Sequence, residues 1–62
     1  MYAFDYLLLH DGKLEFSYRL NDTRVTKVFD SVESLLLFEE LELIVDPDDI
    51  KVAAENLFLG IE

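Results

Sequence analysis

Alternation governs the first twenty residues. Apolar side chains stand at Tyr2, Phe4, Tyr6 and Leu8, give way to His10-Asp11-Gly12, and return at Leu14, Phe16, Tyr18 and Leu20. A period of two broken by a glycine-bearing turn predicts a β-hairpin. Two loop lengths fit it, and they predict opposite faces. With only Asp11 and Gly12 in the loop, His10 pairs with Lys13, and Ala3, Asp5, Leu7 and Leu9 share a face with Leu14, Phe16, Tyr18 and Leu20. With a three-residue loop closed by Gly12 as a bulge, Leu9 pairs with Lys13, and Tyr2, Phe4, Tyr6 and Leu8 join the apolar face. The other face then holds Ala3, Asp5, Leu7 and Leu9 with Arg19, Ser17, Glu15 and Lys13, and Asp5 stands opposite Ser17. A one-residue slip moves every side chain across the sheet, so the wholly apolar face selects the three-residue loop.

Asn21-Asp22 reads as a second turn, and Thr23 to Phe29 as a third strand antiparallel to the second. Val25 and Phe29 join the apolar side. Lys27 interrupts that stripe, which marks strand three as an edge, because an inward charge discourages pairing with other chains. Asp30 followed by Glu33 resembles a capping box and predicts a helix from Ser31. Its apolar positions, Val32, Leu35, Leu36, Leu37, Phe38 and Leu41, spread round most of its circumference. The helix is expected to end near Glu40, because Leu41 to Val45 is rich in β-branched residues and alternates at its start, giving a short extra strand at 41–45. The alternative is a helix that continues to Ile44.

Asp46-Pro47-Asp48-Asp49 is a helix start, with Asp46 as N-cap, Pro47 at the first helical position and two carboxylates in the positive first turn. Ile50, Ala53, Ala54, Leu57, Phe58 and Ile61 keep helical spacing on one face, and Gly60 is placed to end the helix. The expectation is one α+β domain over residues 1–62: a three-stranded antiparallel sheet in β-β-β order, followed by one or two helices packed on one face.

Charge adds what patterning does not. The net charge is −9. Residues 1–29 are neutral, with four carboxylates against Lys13, Arg19, Arg24 and Lys27, whereas residues 30–62 hold ten carboxylates against Lys51 alone. Such a chain should be repelled by nucleic acid and anionic lipid, and should associate quickly with a basic surface. Sixty-two residues bury only about 60% of the unfolded chain's surface, which leaves little room for a deep pocket. Cysteine is absent, so there is no disulfide framework and no thiolate zinc site. No apolar run is long enough to span a membrane, and the N-terminus lacks a signal peptide's basic flank, so a soluble, cytoplasmic protein is expected.

Candidate chemistry is sparse. His10, the single histidine, falls in the hairpin loop without a second group to orient it, and the serines have no motif around them. The aspartates at 46, 48 and 49 lack the spacing, the glycine and the terminal glutamate of a calcium hand, and helix capping accounts for them. No catalytic residue, cofactor or metal site is assigned. Tyr2, Phe4, Tyr6, Phe16 and Tyr18 have the composition of a base-stacking platform, but such platforms lie in basic grooves, so they are read as core. Leu7 and Leu9 are expected as a small apolar patch on the opposite face. The candidate partner-binding surface is acidic: Glu39, Glu40, Glu42, Asp46, Asp48 and Asp49. Carboxylates three and four apart on a helix lie about 5–6 Å from each other, a spacing comparable to successive phosphates. The expected role is a non-enzymatic binding module that docks this surface on a basic protein, plausibly inhibiting a nucleic-acid-handling protein as small nucleic-acid mimics of phages and mobile elements do. The competing expectation is a self-associating subunit, a homodimer.

Overall fold

The computed structural model describes residues 1–60. Three strands, β1 (Tyr2–His10), β2 (Lys13–Leu20) and β3 (Thr23–Phe29), form an antiparallel sheet in the order β1-β2-β3. Three helical segments follow, α1 (Val32–Leu36), α2 (Leu41–Ile44) and α3 (Pro47–Leu59). The expected α+β class and the facing of β3 hold, with Phe29 opposite Leu14 and Val25 opposite Tyr18.

The hairpin register differs from the expected one. Its loop is the two-residue turn: Asp11 and Gly12 both take positive φ, 53° and 76°, as the tight hairpin turn whose twist matches the strands requires, and His10 pairs with Lys13. From there Leu9 faces Leu14 and Leu7 faces Phe16 on the core side, so Tyr6 and Leu8 lie on the open face and Leu7 and Leu9 do not. The register then slips at Asp5, and beyond it Phe4 faces Tyr18 and Tyr2 faces Leu20. Each candidate register is thus realised over part of the hairpin, the two-residue-turn register from Tyr6 to His10 and the other from Tyr2 to Phe4, and the bulge sits in the strand, at Asp5. The cause is Asp5 itself. An unbroken two-residue register would turn its carboxylate into the core, at a cost of several kcal/mol. With one extra residue in β1, Asp5 stays on the open face and the rings of Tyr2 and Phe4 turn inward. On that face Asp5 receives Arg24 from β3 at 2.9 Å and a 3.4 Å hydrogen bond from the buried Ser17 hydroxyl.

The helical segments also depart from expectation. The cap of α1 is Ser31, not Asp30: its Oγ accepts the Ser34 amide at 3.1 Å, and the helix starts at Val32. It ends at Leu36 rather than near Glu40, and 41–44 is a short helix, not a strand. Phe38 lies in the turn between the two segments. Its ring lies among Phe16, Tyr18 and Phe29, with centroids 6.3, 6.1 and 5.7 Å away. Two short helices joined by a turn present Leu35, Phe38 and Leu41 to the core and leave Leu37 80% exposed on the outside.

Helix α3 forms as its sequence dictates. Asp46 Oδ1 accepts the Asp48 amide at 3.0 Å, Pro47 opens the first turn, and Gly60 closes the helix in the left-handed region at φ 73°. Ile50 and Ala54 are buried, Leu57 packs partly against the core, and Ala53 and Phe58 are exposed. Ile61 lies outside the described residues. Leu14, Phe16, Tyr18, Leu35, Leu41, Ile50 and Ala54 make the core. All three helices cover one sheet face and leave the other open.

Candidate functional site

The six carboxylates read from the sequence do not form one patch of equals. Glu39 lies in the turn between α1 and α2, and Glu42 in the first turn of α2. Both are exposed and border a shallow depression of about 280 Å³ that Leu36, Leu37 and Pro47 also line. Asp46 and Asp49 line a separate groove between α3 and β1, whose walls are Phe4, Leu7, Val45, Ile50, Ala53 and Leu57. Asp48 projects from the first turn of α3 and belongs to neither. All five are exposed.

Glu40 stands apart. It is half-buried, and its Oε2 accepts a 2.8 Å hydrogen bond from the Tyr2 hydroxyl. This ties the start of the chain to the α1–α2 turn and leaves Glu40 less able to meet a partner. The hydrogen bond to Glu40, with burial and the carboxylate's charge behind it, raises the Tyr2 pKa above its ordinary 10.0. Burial, and secondarily Glu40, does the same for Tyr18. Both phenols therefore stabilise the fold fully below pH 10 and lose that contribution as pH climbs through their raised folded values. Glu40→Gln keeps an acceptor but removes the charge. It should lower both pKa values toward 10.0, Tyr2 more than Tyr18, in a pH titration followed by ring-carbon NMR of each tyrosine.

Among the described residues, none of the six carboxylates lies within ion-pair distance of a cationic side chain. The ion pairs present among the described residues are on the sheet and its turns, Arg24 with Asp5 and the exposed Lys13 with Asp30 at 3.8 Å, and the His10 imidazole stands 3.3 Å from the carboxylate of its neighbour Asp11. Lys13, Arg19, Arg24 and Lys27 all stand on β2 and β3. The sheet thus carries four of the five cations, Lys51 of α3 being the fifth, while Glu39, Glu42, Asp46, Asp48 and Asp49 on the helical layer have no ion-pair partner among the described residues. Among the described residues no group of three or more carboxylate or imidazole side chains is arranged to hold a metal ion, and no helix is long and apolar enough to cross a membrane.

Sequence reasoning missed the β1–α3 groove. Its walls come from residues 4 to 57, so no local spacing announces it. The one available signal was that Phe4 and Leu7, on opposite parities, are both large and apolar around a charged Asp5. Comparison with protein-family models, with curated proteins and with solved structures gave no match.

Proposed function

We propose that this protein is a non-enzymatic binding module that docks its acidic helical surface on a basic partner, and that the partner is a nucleic-acid-processing protein which it blocks. The observation that supports this is the separation of charge in the fold. Five exposed carboxylates on the helical layer, Glu39, Glu42, Asp46, Asp48 and Asp49, have no ion-pair partner among the described residues, while four of the five cations lie on the strands. With Lys51 the single cation of the helical layer, most of that face's field is left for an incoming basic surface.

Capture from the native host at low ionic strength, followed by salt elution, tests the proposal. A basic nucleic-acid-binding protein should leave the bait as salt rises, because screening shortens the reach of exposed charges to about 3 Å at 1 M. A complex whose affinity is flat across that range would overturn charge-led docking.

A self-associating subunit is the alternative, favoured by the outward Leu37 and Leu43, exposed 80% and 60% beside the carboxylates. Sedimentation at high concentration separates the two.

A further inference from the structure

The two edges of the sheet are protected unequally. On β3 the exposed Lys27 stands on the core side of the strand, opposite Phe16, where a fourth strand would have to bury it. Edge β1 has no such charge: its core-side residues are Tyr2, Phe4, Leu7 and Leu9, and Phe4 and Leu9 remain 44% and 38% exposed. An apolar edge without an inward charge is a template for strand pairing, and the bulge at Asp5 leaves Tyr6 to His10 as the regular stretch of this one. Beside this edge lies the groove between β1 and α3, about 580 Å³ in volume. Phe4 and Leu7 form its strand wall, Val45 and Ala53 lie across from them, and Asp46 and Asp49 complete the lining with two exposed carboxylates. The groove therefore lies where the core-side residues of a strand added to β1 would project.

We infer that β1 accepts a fourth strand, an extended basic segment of the partner protein. Its backbone pairs with the outer edge of β1, alternate apolar side chains enter the groove, and a lysine or arginine on the same face meets Asp46 and Asp49. This rests on the reading of the helical layer as a surface for a basic partner, and it specifies the form of the partner's contact. Charge complementarity selects that occupant over a second copy, since two chains of net charge −9 repel each other. Backbone pairing supplies attraction without sequence preference, and the alternate side chains supply selectivity.

Three synthetic probes test it against the intact protein by NMR titration and amide hydrogen exchange. The first is Lys-Thr-Val-Thr-Val-Thr-Lys, which puts both valines and both lysines on one strand face. The second is its isomer Lys-Val-Thr-Thr-Thr-Val-Lys, with the same charge and composition but the valines on the other face. The third is heptalysine. The first should bind about tenfold tighter than the isomer, as the loss of apolar burial dictates, and should protect β1 amides from exchange. Ala53→Phe, a change at an exposed groove position, should remove that preference while heptalysine binding stays unchanged. Equal binding of the two isomers without β1 protection would overturn strand addition and leave the acidic surface intact. Failure of all three probes at low salt would overturn the acidic surface as well. Protection of β1 that grows with protein concentration in the absence of peptide would show a second copy in the groove and overturn the inference.

Discussion

Phe16→Ala is expected to remove about a third or more of the protein's folding stability. Phe16 is completely buried, and its ring touches three others, Phe4 at 5.6 Å, Tyr18 at 5.8 Å and Phe38 at 6.3 Å. It stands on the middle strand, held between β1 and β3, and on the face that the helices cover. The backbone around it cannot collapse into the space left behind, so the transfer loss and the cavity loss both apply, together about 3–5 kcal/mol. A chain of this length has roughly 3–9 kcal/mol of stability to lose, at about 0.05–0.15 kcal/mol per residue. Urea unfolding followed by circular dichroism should show the midpoint moving to low urea or the transition vanishing. Val28→Ala is the control, at a site 59% exposed on the open sheet face, and should stay within about 0.5 kcal/mol of the parent. Comparable losses at the two sites would mean that the aromatic cluster does not hold the fold together.

That cluster also separates what the sequence reveals from what it conceals. Features written in adjacent residues are legible: the Asp46-Pro47-Asp48-Asp49 start and Gly60 stop of α3, the turn at Asn21-Asp22 and the inward Lys27 of β3 are each decided within a few positions, whereas at His10-Asp11-Gly12 the presence of a turn is legible and its two-residue length is not. Features that depend on distant partners are not. Nothing near Phe38 says that α1 stops before it or that its ring meets Phe16, Tyr18 and Phe29. Nothing in the hairpin pattern says that the slip belongs at Asp5, since its stabilising partners Arg24 and Ser17 come from β3 and β2. The wholly apolar stripe was a sound guide to Tyr2 and Phe4 and a false one to Tyr6, whose hydroxyl reaches Glu15 at 2.8 Å on the open face. The same division runs through the candidate site. Exposure of Glu39, Glu42, Asp48 and Asp49 follows from charge alone, whereas the diversion of Glu40 to Tyr2 needs a contact thirty-eight residues apart.

Neutralising Glu39, Glu42, Asp48 and Asp49 together, as Glu39→Gln, Glu42→Gln, Asp48→Asn and Asp49→Asn, should weaken the complex with a basic partner about tenfold or more. Asp46 is left in place because it caps α3, and Glu40 because it holds Tyr2. Each exposed charge contributes roughly 0.2–1 kcal/mol to a facing cation, so four contribute on the order of 1–4 kcal/mol, and most of the loss should appear in the association rate. A second variant removes as many charges elsewhere: Asp11→Asn, Asp22→Asn, Glu33→Gln and Glu55→Gln, all exposed and none in the proposed surface. Both proteins carry the same net charge, so any difference in binding reports the placement of the carboxylates and not their number. The first variant also loses the favourable interaction of Asp48 and Asp49 with the α3 dipole, about 0.3–1 kcal/mol each, and thermal unfolding measured alongside separates that from the binding loss. Selective loss in the first variant would place the function on Glu39, Glu42, Asp48 and Asp49. Equal loss in both would reduce the acidity to a general repulsion that keeps the chains apart in solution.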